Sequence, residues 1–234
     1  MRWNRNEIDR LSTILEQISS DLAPVDGKNL LVLCSATGEL AFWLGEMMEQ
    51  GKVTGIELDL ESLEIARRTA HELGLEGLVD FIAADKQHIP QPDATFDGLV
   101  NEFIVYPTST PADIGQREMA RVLKPGGRMI LTDVIVSKPL PQDVREALEL
   151  VGLDYLCDGT LDDFRTWMTD AGLINVATRD LTPGLQAVWE GRQEIDQAAS
   201  HQAGYSYLLD DPRYKLGRAI FYFYVSGEKP KNDL

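Results

Sequence analysis

Leu30-Leu31-Val32-Leu33-Cys34-Ser35-Ala36-Thr37-Gly38-Glu39-Leu40 is the stretch that most constrains how this chain can fold. Its four leading apolar residues predict a strand covered on both faces, as in a parallel sheet. Cys34 to Gly38 carry small side chains, so the backbone there can come close to a ligand. From Glu39, the apolar residues Leu40, Phe42, Trp43, Leu44, Met47 and Met48 predict a helix to about Gln50. A strand, a small-residue turn and a helix start aim backbone N–H groups at whatever binds there. The dinucleotide fingerprint G-x-G-x-x-G is absent. An ordinary βα turn has the same pattern, so the downstream segments must decide.

They do so by repetition. Ile8, Leu11, Ile14, Leu15 and Ile18 predict a leading helix over Asn6 to Leu22, ended by Ala23-Pro24-Val25-Asp26-Gly27. Val53 to Glu57 reads as a second strand. A helix from Leu60 to Leu73 follows, with Leu63, Ile65, Ala66, Ala70 and Leu73 inward and Gly74 as its cap. Leu78 to Ala83 is a third strand and Phe96 to Asn101 a fourth. A helix from Pro111 to Leu123, a turn at Lys124-Pro125-Gly126-Gly127 and a fifth strand over Arg128 to Val136 complete the alternation. Strands alternating with helices over 28–136 predict a parallel, doubly wound sheet. Ligands of such sheets sit outside the carboxyl ends of the strands. The Cys34–Gly38 turn, Glu57, Asp85 and Asn101 all fall there.

The tail breaks the pattern. Pro141 to Leu156, Leu161 to Ala171 and Leu185 to Ala199 read as helices, Ile174 to Leu181 as a strand, and Ala219 to Val225 as a strongly β-prone final strand. With 234 residues, a single domain is expected: an N-terminal helix (1–27), a ligand-binding core (28–136), and substrate-side or lid elements with the final strands (137–234).

Charge and cysteine content narrow the class. A formal charge of −16 argues against nucleic acid, whose phosphates select basic surfaces. Two cysteines, Cys34 and Cys157, are too few for a disulfide framework, and no zinc-type or other metal cluster is expected. The charged, amphipathic Met1–Ser20 is unlike a signal peptide, and no apolar run reaches the length of a membrane span. A cytoplasmic protein with a small-molecule partner, and no nucleic-acid or membrane partner, is the expectation. Oligomeric state is left open.

An acid ending a second strand, about twenty residues after the turn, is where a ribose diol is commonly gripped. Glu57 stands there, and its carboxylate can accept both hydroxyls through charge-assisted bonds. Asp85 follows the third strand and can accept from a purine's exocyclic amine. His88, in the same loop, is one of three histidines.

This order of motifs resembles the class I S-adenosylmethionine-dependent methyltransferases. The likeness covers about residues 28–136. It is strongest at Phe96-Asp97-Gly98-Leu99-Val100 and at Arg117-Glu118-Met119-Ala120-Arg121-Val122-Leu123-Lys124-Pro125-Gly126-Gly127-Arg128. It implies a Rossmann-like, doubly wound, mostly parallel α/β sheet with an antiparallel C-terminal strand and helical lid elements. It also implies S-adenosylmethionine as cofactor, held by Cys34, Ser35, Ala36, Thr37 and Gly38, by Glu57 and Leu58, by Asp85 and Lys86, and by Asn101 beside the sulfonium. The chain departs from the family in its first motif. The usual acid and three alternating glycines fall on Val32, Cys34, Ala36 and Gly38, where Gly38 alone is kept.

Methyl transfer to a good nucleophile needs orientation more than acid–base help. Where a base is required, Glu102, Tyr106 and His88 are the candidates. Glu102, Tyr106, Cys157, Trp189 and Tyr205 are the candidate substrate contacts, and Tyr155, Tyr207 and Tyr214 add to the aromatic set. Cys157-Asp158-Gly159-Thr160 resembles a segment of arsenite methyltransferases. Arsenite binding there takes several thiolates, and Glu102 stands where that family has one of them. Methyl transfer to another small molecule is therefore expected. The alternative is a non-catalytic ligand- or partner-binding protein on the same scaffold.

Overall fold

The computed structural model describes residues 12–33, 35–102, 113–150, 157–184, 212–214 and 217–231. Helix α1 (Ser12–Leu22) leads into β1 (Asn29–Leu33), α2 (Glu39–Gly45), β2 (Lys52–Glu57), α3 (Leu60–Glu72), β3 (Val79–Ala83) and β4 (Phe96–Glu102). Then come α4 (Asp113–Val122), β5 (Leu123–Val136), α5 (Gln142–Leu150), β6 (Cys157–Asp158), α6 (Leu161–Asp170), β7 (Ile174–Asp180) and β8 (Ile220–Glu228). The strands form one sheet in the order β3-β2-β1-β4-β5-β8-β7, with the short β6 pairing with β5. β1 to β5 are mutually parallel, and β8 runs antiparallel to both β5 and β7. The expected doubly wound sheet with an antiparallel C-terminal strand is therefore present. The reversal between β1/β2 and β1/β4 puts the switch point beside the Leu30–Leu40 turn.

Helices cover both faces, and the apolar pattern divides accordingly. Ile14, Leu15, Ile18 and Leu22 of α1 pack with Leu40 and Leu44 of α2 and Leu63 and Ala66 of α3 on one face. Met119 and Val122 of α4 and Phe164 and Met168 of α6 pack on the other, against Leu31, Leu99 and Leu131. β1 is buried from Leu30 onward, as its unbroken apolar run requires. Asp59 caps α3 by accepting from the N–H of Ser62 at 3.1 Å. At the other end the N–H of Leu75 reaches the carbonyl of Ala70 and that of Gly74 the carbonyl of His71, a Schellman closure. Among the described residues, no helix is long and apolar enough to cross a membrane.

Four differences from the sequence reading have local causes. Helix α2 stops at Gly45, and residues 46–51 turn the chain into β2. Ile65 of α3 and Leu73, its C-cap residue, are half-buried rather than inward. The Lys124–Gly127 segment is a bulge within β5 rather than a free turn. Leu123 pairs with Phe96, and the next partner pair is Arg128 with Gly98. Cys157 and Asp158, given no element by the sequence reading, form a short strand opposite Ile135 and Val136. The expected helix over Leu185–Ala199, the start of the leading helix and of the Pro111 helix, and Tyr155 and Tyr207 lie outside the described residues.

One ion pair holds the bulge. Asp97, at the start of β4, accepts from Lys124 Nζ at 2.8 Å and from the N–H of Asn29 at 2.9 Å. Burial pushes the Asp97 carboxyl up. The Lys124 and Asn29 hydrogen bonds, with the charges of Lys124 and Lys28, outweigh this and hold it below the usual carboxylate value. A lowered folded-state pKa contributes stability above the unfolded value, and that contribution is lost as pH falls through the folded one. Asp97→Ala should therefore cost about 1 kcal/mol at neutral pH, and less at about pH 3. Urea unfolding of both proteins at the two pH values measures this. An equal cost at both would break the assignment to ionised Asp97.

Candidate active site

The site begins where β1 ends. The N–H of Ser35 bonds to the carbonyl of Ile56 at 2.9 Å, one step past the β1–β2 ladder. The chain then turns sharply. Ala36 has φ 47°, Gly38 has φ 99°, and the N–H of Gly38 closes on the carbonyl of Ser35 at 2.8 Å. Gly38 starts α2 with no side-chain cap. A Cβ there would lie 2.7 Å from ring carbons of both Phe42 and Phe81. A Cβ on Gly55 would come within 2.4 Å of the same Phe81 ring. Phe81 thus stands under the turn, edge-on to Phe42 with centroids 5.6 Å apart, and both glycines are fixed by that ring. This packing role is invisible in the sequence, where Gly38 reads only as ligand clearance.

Glu57 faces the turn. Its Oε2 accepts from the N–H of Ala36 at 2.8 Å, and its Oε1 accepts from Leu58 N at 2.8 Å and Asp59 N at 3.0 Å. One carboxylate therefore joins the β1–α2 turn to the β2–α3 turn. Leu58 and Leu60 follow it with 64% and 66% exposure, an uncovered apolar surface beside a polar anchor. Thr37 Oγ1 donates to Glu39 across the turn at 2.7 Å.

Asp85 shapes the next loop. Its Oδ1 accepts from Gln87 N at 2.8 Å and its carbonyl from His88 N at 2.9 Å. Lys86 is half-buried and His88 exposed. Asn101 is fully buried near the end of β4. Its Nδ2 donates to Met119 Sδ at 3.4 Å, and its Oδ1 has no partner. Glu102 ends β4 opposite Thr132. Cys157 sits in β6, opposite Ile135. Cys34, Tyr106, Trp189 and Tyr205 lie outside the described residues. Among the described residues, no group of three or more His, Cys, Asp or Glu is arranged to hold a metal.

Sequence reasoning misses two residues. Asp133 sits two places past Leu131, the β5 partner of Asn101, and is 2% exposed. Its Oδ1 accepts from Val134 N at 2.7 Å, and its Oδ2 has no partner. Burial pushes its carboxyl well above the usual value, against the pull of the Val134 N–H and the Lys86 charge. Gln116 of α4 is 1% exposed, and its Oε1 likewise has no partner. The signal for Asp133 is an acid inside the apolar run Met129 to Val136.

This donor and acceptor set fits a nucleoside-bearing cation. Glu57 offers acceptor oxygens beside a tight positive-φ turn, Leu58 an apolar face, and Asn101 a buried carbonyl without a partner. Ala36 carries a methyl where φ favours glycine, at a cost of about 1 kcal/mol. Ala36→Gly should leave the melting temperature unchanged or raised, whereas the branched Ala36→Val should cost at least about 1–2 kcal/mol. Thermal unfolding of the three proteins tests this, and a Val variant as stable as the parent would contradict the turn geometry.

Residues 24–187 match a family model described as a methyltransferase domain. The ubiquinone/menaquinone biosynthesis C-methyltransferase UbiE of Escherichia coli O1:K1 is 30% identical over 188 residues, covering 70% of this chain and 74% of that protein. The UbiE of Enterobacter sp. (strain 638) is 29% identical over the same length and shares. In fold, the chain resembles Haemonchus contortus phosphoethanolamine N-methyltransferase 2 bound to S-adenosyl-L-methionine. That match has a TM-score of 0.76 at 16% identity, over 94% of this chain and 53% of that one. It also resembles the geranyl diphosphate C-methyltransferase of Streptomyces coelicolor A3(2), with a TM-score of 0.72 at 16% identity, over 93% and 79%. The family match begins before β1 and ends beyond β7, so it takes in the turn, Glu57 and Asn101 together: the chain belongs to the class I S-adenosylmethionine-dependent methyltransferases.

Proposed function

We propose that the protein methylates a small organic molecule, with the acceptor seated beyond the ends of β4 and β5. The observation that carries this is Glu57, whose carboxylate is fixed at the end of β2 and faces the turn after β1. Ser35 to Gly38, with Cys34, line the methionine end of the cofactor. Glu57 holds the ribose hydroxyls, Leu58 lies against the base, and Asp85 and Lys86 meet the adenine edge. Asn101 stands beside the sulfonium. S-adenosylmethionine supplies an electrophilic methyl group; the chain supplies alignment and exclusion of water.

Glu57 has about four lone-pair directions, and three already accept backbone N–H groups. A diol offers two hydroxyls. Gripping both therefore means sharing or releasing one backbone bond, and the bond to Ala36 is the one at the turn. Loop rearrangement accompanies cofactor binding on this reading.

The curated relatives carry the name of a quinone-biosynthesis C-methyltransferase. This supports a small acceptor and makes electron-rich aromatic rings the first to screen. The charge of −16 supports a small molecule over nucleic acid, and the cysteine content supports a reducing, cytoplasmic setting. Glu102, Tyr106 and His88 remain candidate bases, and Cys157, Trp189 and Tyr205 candidate acceptor contacts.

Calorimetric titration with S-adenosylmethionine and S-adenosylhomocysteine, beside Glu57→Ala and Glu57→Gln, tests the reading. Wild type should bind both, and each variant should bind at least about tenfold more weakly, the loss of one charge-assisted bond. Folded wild type that binds neither compound would replace the enzyme with a non-catalytic scaffold.

A further inference from the structure

Three buried side-chain oxygens without partners belong to one face of β4 and β5 and to the helix α4 that covers it. Asn101 lies opposite Leu131, and Asp133 follows Leu131 by two residues, so Asn101 and Asp133 share a face of the sheet. Helix α4 covers that face, with Met119 against Asn101 at 3.4 Å. Gln116 is one turn before Met119 on the same side of the helix. Because α4 runs back against the strands it connects, that turn lies toward their carboxyl ends. Asn101 Oδ1, Gln116 Oε1 and Asp133 Oδ2 are each buried without a hydrogen-bond partner. Leaving such atoms unpaired is destabilising. Two amide oxygens and one carboxyl oxygen are thus left where a polar ligand would find hydrogen-bonding groups.

We propose that Asp133 is the base of the methyl transfer: held as a carboxylate by the sulfonium cation beside Asn101, it takes onto Oδ2 the proton that an N–H or O–H acceptor gives up. The inference rests on the cofactor placement of the preceding subsection. Asn101 and Gln116 hold the acceptor's hydrogens and set its orientation. The lone pair of the acceptor's nitrogen or oxygen forms the bond to the methyl carbon. Sulfur keeps the pair of the bond that breaks, and the N–H or O–H proton ends on Oδ2. One cation and one anion enter the step, and two neutral groups leave it.

The surroundings of Asp133 suit this exchange. Burial pushes its carboxyl well above the usual carboxylate value and so favours the protonated form. Its β8 partner Phe223 is uncharged, as are Asn101 on β4, Gln116 on α4 and Phe164 and Met168 on α6. Lys86, in the loop after β3, is the positive charge among the described residues whose field reaches it. A second cation, arriving with the cofactor, shifts the balance to the carboxylate.

S-adenosylmethionine and S-adenosylhomocysteine differ by that cation, which gives a test independent of the acceptor. Each is titrated calorimetrically into the protein at neutral pH, in two buffers of different protonation enthalpy, so that protons released on binding are counted. Wild type should release more protons with S-adenosylmethionine than with S-adenosylhomocysteine. Asp133→Asn, which keeps the shape and an acceptor for the Val134 N–H, should bind both with no difference. Equal proton counts in wild type would overturn the role of Asp133 and leave the cofactor reading standing, without recourse to a variant. A difference that survives in Asp133→Asn would also overturn it. Failure of wild type to bind either compound would overturn both readings.

Discussion

The three backbone N–H groups converging on the Glu57 carboxylate are the interaction on which the cofactor end of this structure depends. Ala36 belongs to the turn after β1, Leu58 and Asp59 to the turn after β2. A charge-assisted acceptor shared between them fixes their separation, and with it the width of the opening at the switch point of the sheet. The Phe81 ring supports the same turn from below, which is why Gly38 and Gly55 have no room for a side chain. Where the family's usual glycine is replaced by Ala36, the backbone still adopts φ 47°. The turn is thus held in shape by its neighbours on β2 and β3, and the altered motif keeps the conformation that the missing glycine would favour.

The most recognisable sequence signature has a physical basis away from the chemistry. Phe96-Asp97 and Lys124-Pro125-Gly126-Gly127 are 27 residues apart by the Asp97–Lys124 bond, yet they are one structural unit. Asp97 ties the starts of β1 and β4 to the bulge that opens β5. The bulge absorbs the residues between Leu123 and Arg128, so that Asn101, Leu131 and Asp133 come into their observed register. A motif that reads as a turn therefore sets the position of the buried polar groups at the far ends of the same strands.

How far the sequence can be read follows from this division. Apolar periodicity locates α1, α3 and β1 to β4 because each buries a face defined by its own residues. Glu57, Asp85 and Asn101 can be placed at strand ends for the same reason. The β6 pairing, the bulge in β5 and the Phe81 support depend on partners distant in the chain, and no local pattern encodes them. Asp133 escapes notice because the surrounding run Met129 to Val136 satisfies the pattern of a buried strand, and a single acid does not disturb it. Its meaning appears only when its Oδ2 proves to be without a partner.

The two ends of the site are built on opposite terms. At the turn, donors and acceptors are already matched: the carboxylate of Glu57 is satisfied by backbone, and a ligand must compete with those bonds. Between β4, β5 and α4, acceptors are buried in excess, and a ligand that brings hydrogens relieves them. Binding at the first end is therefore limited by rearrangement, while binding at the second is driven by satisfaction of atoms the fold leaves unpaired. In the proposed arrangement, a cofactor with its positive centre beside Asn101 meets a matched anchor on one side and buried, unpaired side-chain oxygens on the other. On that proposal, the asymmetry favours a cation at the junction and a partner group that arrives with a proton and leaves without it.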